Sequence, residues 1–268
     1  METHGNKALG DFLRARRARL SAETLGLKTN RRRRTEGLRR EEVAERADIG
    51  IDWYIRLEQG RAISPSIATV DALARALCLD ETDHAHLRAL ARLKSRQQFA
   101  PEEVSADVSV VVRSLREPAY IMGQRWDVLC WNEATASLFV DFARIPETER
   151  NILHFMFLDG KAKALFGCGW TAQARRMVAQ FRANHDLWSG DPAFQNLVGV
   201  LTDGSPEFSG WWRAHDVGFP EAGAKTLYDG AKQRAFHHAS FLVSDNPALR
   251  LVIYTSLSDD ADHRMEKS

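Results

Sequence analysis

The chain has 268 residues, 44% apolar and 27% charged, values that exclude a disordered or fibrous protein and leave room for one large domain or two ordinary ones. No apolar run approaches the roughly 18 residues of a membrane-spanning helix, and the charged start METHGNKALGDFLRARR lacks the apolar stretch of a secretory signal, so a cytoplasmic protein is expected. The net charge of +1 hides an asymmetry: residues 1–100 hold 20 Lys+Arg against 14 Asp+Glu, and residues 101–268 hold 17 against 22. A basic front half points to a polyanion partner.

In chain order, the first half reads as all-α. Leu9, Phe12, Leu13 and Leu20 form a helical stripe, followed by a long polar loop that contains Arg31, Arg32, Arg33 and Arg34. Taken alone, that arginine run is equally a solvated loop or a polyanion contact. A second helix is expected from Leu38, with Val43, Ala44 and Ala47 on one face. A third, GIDWYIRLEQG, turns Tyr54 and Leu57 inward and ends at Gly60. A fourth follows Ser64 as cap and Pro65 as first helical residue, and a fifth is opened by the acidic run DETD. Cys78, Cys130 and Cys168 lack disulfide or zinc-site spacing and are expected to be small buried hydrophobes.

Residues 38–60, LRREEVAERADIGIDWYIRLEQG, resemble the helix-turn-helix of the Cro/repressor-like, or XRE, family of DNA-binding regulators. The resemblance makes the third helix the recognition helix, its leading side chains aimed at base edges in the major groove. Gly50, Ile51, Asp52 and Arg56 then occupy groove-facing positions, with Trp53 and Arg61 completing the set, while Arg39 and Arg40 hold phosphates. Arg56 suits a guanine, Asp52 a cytosine amine and Ile51 a thymine methyl. The same resemblance pairs Arg17 with Glu58 as a structural ion pair. In this context Arg31 to Arg34, in an insertion longer than short family members carry, are read as DNA contacts.

Beyond a linker at residues 95–104, where Pro101 is expected to start a helix, the pattern becomes mixed. AYIMGQRWDVLCWN reads as a hairpin about Gly123-Gln124, helices resume from ATASLF through PEFSGWWRAHD, and ASFLVS and LRLVIYTS close the domain as strands around DNPA. WDVLCWNEATASLF, ERNILHFMFLD, PEFSGWWRAHDV and LRLVIYT together resemble the MmyB-like ligand-binding domain, a PAS-related module. The fold class is therefore multidomain: an all-α helix-turn-helix bundle over residues 1–94, then an α+β PAS-like domain over 105–258 and a polar tail over 259–268.

The resemblance implies a bacterial transcription factor whose second domain encloses a hydrophobic small molecule, a fatty acid being the expected class; no other cofactor is expected. Trp126, Val128, Trp131, Phe139, Phe155, Phe157, Trp211 and Trp212 are candidate walls. Arg150 and Arg213 are candidate cations for a carboxylate head, with Asn132 and His215 as donors. One departure stands out: after Lys225 the chain has Leu227-Tyr228-Asp229 where family members carry a His-Pro pair. No P-loop, G-x-S-x-G or H-E-x-x-H motif occurs, so no enzyme is expected. The resulting expectation is a homodimeric regulator on a palindromic duplex operator, with no membrane partner. Two rivals stay open: a second domain that only dimerises, and a small-molecule binding protein that uses its front helices for protein contacts.

Overall fold

A computed structural model describes residues 7–21, 23, 25–26, 37–61, 65–92, 98–188, 190–218, 222–229 and 232–257. Arg31 to Arg34, Ser64 and the tail from 258 lie outside the described residues. The chain divides into two compact units, and neither is a single run of sequence. One joins residues 1–99 with 179–196 and 211–219; the other joins 100–178 with 197–210 and 220–268.

The first unit contains α1 (Lys7–Arg19), α2 (Arg40–Arg46), α3 (Ile51–Glu58), α4 (Ile67–Ala76) and α5 (Glu81–Arg92). Their apolar stripes meet in one core that includes Leu9, Phe12, Leu13, Val43, Tyr54, Leu57, Val70, Leu73, Leu87 and Leu90. Caps set the helix starts. Glu42 Oε2 accepts from the Arg39 backbone at 2.6 Å, Ser66 Oγ from Thr69 N at 3.2 Å, and Asp80 Oδ1 from Asp83 N at 2.7 Å. The fourth helix thus begins two residues later than the sequence suggests, because Ser66 is the residue in extended geometry at the helix entrance. Gly60 closes α3 at φ +66°, a left-handed conformation.

Two later segments complete this unit. On α10 (Trp170–His185), Arg182 lies 3.5 Å over the Trp212 ring and donates to the Trp212 carbonyl. His86 of α5 meets Asp186 at 3.1 Å, and Arg19 of α1 meets Asp216 at 2.6 Å. Phe99 packs edge-on against Trp188 and Phe194, which stack on each other with ring centroids 5.5 Å apart.

The second unit opens with α6 (Ala106–Ser114), capped by Ser105; Pro101 starts no helix. A five-stranded antiparallel sheet follows, in the order β2 (Val128–Trp131), β1 (Ala119–Met122), β5 (Asn246–Ser256), β4 (Lys232–Val243), β3 (Gly223–Asp229). The expected hairpin about Gly123-Gln124 is present; the turn expected at DNPA falls at 244–245, with Asn246 already in β5, and β3 has no counterpart in the sequence reading. β4 also starts well before ASFLVS, because Lys232, Gln233 and Arg234 are polar and, with Ala235, exposed, so they carry no alternating apolar signal. One sheet face packs Ala119, Ile121, Cys130 and Leu249 against Val112 of α6. The other carries Tyr120, Phe236 and Tyr254. Between β2 and β3 in sequence come α7 (Glu133–Leu138), α8 (Ile152–Leu158), α9 (Gly160–Phe166) and parts of α10, α11 (Pro192–Gly204) and α12 (Pro206–Arg213). Of the three cysteines only Cys130 is buried; Cys78, in a left-handed residue ending α4, and Cys168 are exposed.

Candidate nucleic-acid interface and ligand-binding face

Short helices have too few internal hydrogen bonds to hold themselves in place, so α3 must be fixed by its neighbours. Its fixture is Glu58, fully buried at the last helical position. Arg17 Nε donates to Oε1 and Arg40 Nε to Oε2, each at 2.5 Å, while the Tyr54 hydroxyl reaches Oε1 at 3.2 Å. The Glu58 carbonyl accepts from Arg14 at 3.1 Å. Burial alone would raise the Glu58 carboxyl, but the two guanidinium hydrogen bonds outweigh it and hold the group below its ordinary value. Backbone contact is equally close: a Cβ on Gly10 would sit 2.5 Å from the Glu58 carbonyl oxygen. The expected Arg17–Glu58 pair is present, and Arg40 joins it.

With that side of α3 committed, the opposite side faces out. Gly50 is exposed at the N-cap, Ile51 keeps 42% of its surface, and Asp52 and Arg56 are exposed one turn apart. A large aliphatic side chain left in water at a helix start stands out where Tyr54 and Leu57 are buried and Trp53 and Ile55 partly so. Among the described residues, Asp52 and Arg56 make no side-chain hydrogen bond or ion pair. Trp53 is half-buried against the core, and Arg61 is exposed just past the helix. Arg39 touches Glu41 at 3.3 Å, and its side chain, like that of Arg40, remains about half exposed beside α3. Cations beside an exposed helix start form the geometry in which phosphates position a duplex and the helix reads base edges.

In the second unit, aromatic side chains converge on the sheet face opposite α6. Phe139 contacts Tyr254 at 5.0 Å, Phe155 at 5.8 Å and Tyr120 at 6.3 Å between ring centroids, and His238 meets Tyr254 at 5.0 Å. Burial pushes both tyrosine hydroxyls well up. Val128 is buried at the start of β2 and Trp126 just before it, Trp126 in a left-handed conformation at φ +69°. Phe157 joins Trp170 and Phe208 instead.

The expected polar anchors have other work. Asn132 caps α7: its Oδ1 accepts from Ala119 N and Thr135 N, and its Nδ2 donates to the Leu115 and Glu117 carbonyls. That exhausts its donors. Arg150 donates to the Ile145 carbonyl at 2.9 Å and lies 5.7 Å from the Trp131 ring, which packs on Phe142. Trp211, Trp212, Arg213 and His215 all fall in the first unit. There Arg213 and His215 line a cavity of about 500 Å³ with Arg14 and Arg19 of α1. The sequence groups these four with the aromatic sheet face; the structure counts them in the first unit, to which the chain returns at residue 211. A charged group that sequence reasoning passed over is Lys225, which β3 places beside Tyr254 at 5.8 Å from the ring. Its signal was alternation with buried Leu227 across exposed Thr226.

Among curated proteins, none matches the chain. Two family models do. One describes a helix-turn-helix domain and covers residues 8–87; the other describes the ligand-binding domain of MmyB-like transcription regulators and covers residues 104–266. Spanning more than half of the sequence, the second match places the chain in the MmyB-like family of DNA-binding transcription regulators.

Proposed function

We propose that the protein is a sequence-specific, non-catalytic regulator that binds a palindromic operator as a homodimer and senses a hydrophobic small molecule, a fatty acid, through its second unit. The observation that carries the DNA half is the two-sidedness of α3. Tyr54, Leu57 and Glu58 fasten one side, and Ile51, Asp52 and Arg56 leave the other open at the helix start. A single helix of eight residues reads only a few base pairs, so specificity in a genome needs two copies about one helical turn apart. Support for the sensing half is the aromatic sheet face together with the family to which residues 104–266 belong. A ligand changes DNA affinity only to the extent that it binds the two DNA-binding states unequally.

The test is fluorescence anisotropy of a labelled duplex carrying the selected operator, with and without dodecanoate. A shift in the operator dissociation constant on adding dodecanoate, with non-operator DNA unaffected, supports the sensor. Operator binding that ignores every apolar acid restricts the second unit to dimerisation.

A further inference from the structure

The acid head of the proposed ligand needs a cation. Of the four anchors expected from sequence, Asn132 has both amide hydrogens on backbone carbonyls, Arg150 gives its Nε–H to the Ile145 carbonyl and lies by the Trp131 ring, and Arg213 and His215 belong to the first unit. Lys225 is different. It alternates with buried Leu227 along β3 and pairs in register with buried Phe236 of β4, so its stem runs over the aromatic face. Its Nζ lies 5.8 Å from the Tyr254 ring, and through Tyr254 it adjoins Phe139, Tyr120 and His238. Two register steps along the same pair of strands, and so on the same face, the Arg234 guanidinium sits 5.2 Å over the Phe236 ring. The like charge of Arg176 on α10 also reaches Lys225.

Among the described residues, no carboxylate pairs with Lys225, Arg234 or Arg176. Burial first, then Arg176, lowers the Lys225 amine to about 8. Burying the Lys225 ammonium without a carboxylate partner among the described residues is costly, the exposed Arg234 and Arg176 add like charge, and an anion relieves that cost. A cation–π contact with one tyrosine offsets only part of it.

We infer that Lys225, flanked by Arg234 and Arg176, anchors the carboxylate of a long-chain acid whose chain runs against Tyr254, Phe139 and Phe155. The inference rests on the sensor reading above and goes further by naming the head-group residue and the charge of the ligand. The Lys225 ammonium donates to the carboxylate, and no bond is made or broken. Selectivity follows: an acid binds, while the alcohol of equal length, with the same apolar chain and no charge, binds weakly.

Isothermal titration of the full chain with dodecanoate and with dodecan-1-ol, on the wild type, Lys225→Met and Lys225→Arg, tests this. A charge-assisted hydrogen bond predicts that Lys225→Met weakens dodecanoate about 10- to 100-fold and erases the preference over dodecan-1-ol, with Lys225→Arg retaining most of it. Dodecan-1-ol binding by Lys225→Met shows that the site is still folded, and Lys225→Arg carries the comparison if it is not. Dodecanoate bound equally by wild type and Lys225→Met overturns the anchor and leaves the sensor standing. A wild type that binds neither compound overturns the sensor reading and the anchor together.

Discussion

Glu58 is the residue on which the DNA-binding unit turns, because one buried carboxylate holds α1, α2 and α3 together. Removing one member of such a cluster strands the others: Glu58→Ala leaves Arg17 partly buried without its charge partner and is expected to cost about 3–5 kcal/mol in urea unfolding. Its carboxyl is depressed in the fold, so the stabilisation is complete above the ordinary value near 4.5 and is lost as pH falls through the lower folded value. Wild type should therefore lose stability on acidification more steeply than Glu58→Gln, and parallel curves would show that the pair contributes nothing.

Lys225 has the opposite sign. Its amine is lowered from 10.5 to about 8, so between those values the folded chain binds fewer protons than the unfolded one and stability rises with pH. Dodecanoate needs the protonated amine, so its affinity should decline as pH climbs past 8. His238, Arg234 and Tyr254 share the face, and the charge of Arg176 reaches it. An affinity flat from pH 7 to 9.5 would seat the head group elsewhere.

At the scale of elements, α3 was legible because its constraints are local. Tyr54 and Leu57 are three residues apart on one face, Gly60 ends the helix in a left-handed residue, and the exposed residues are those left over. The same holds for β1, β2 and β5, whose apolar residues pair across neighbouring strands. β3 was not legible: Gly223, Ala224, Lys225 and Asp229 carry little strand preference, and their pairing with β4 is a tertiary fact. Nor could spacing reveal that Arg213 and His215 sit beside α1, since a chain that returns to an earlier unit leaves no periodic trace. The arginine loop belongs to this scale too. Reversing the charge of Arg31 to Arg34 should reduce the slope of log affinity against log salt by up to about four contacts' worth; an unchanged slope removes the loop from the interface.

For the whole molecule, the consequence of the interleaved units is that the DNA-binding half is not finished by its own 99 residues. Asp186 is buried among Arg182, His185 and His86; burial would raise its carboxyl, but hydrogen bonds from the histidines and the charge of Arg182 hold it far below the ordinary range. Residues 1–99 expressed alone lose Asp186, Asp216 and the Trp188–Phe194 stack. Such a fragment is expected to unfold several degrees below the corresponding transition of the full chain, measured by calorimetry. Equal midpoints would mean that the later segments add no stability.

If the open side of α3 meets bases, selection of bound sequences from a random duplex pool at moderate salt will show it. Wild type should enrich a two-fold-related motif with half-sites roughly 10 base pairs apart. Arg56→Ala should relax one position in each half-site at a cost of about 1–3 kcal/mol. A pool that emerges with no preferred sequence, or an Arg56→Ala chain that enriches the wild-type motif unchanged, would contradict the account.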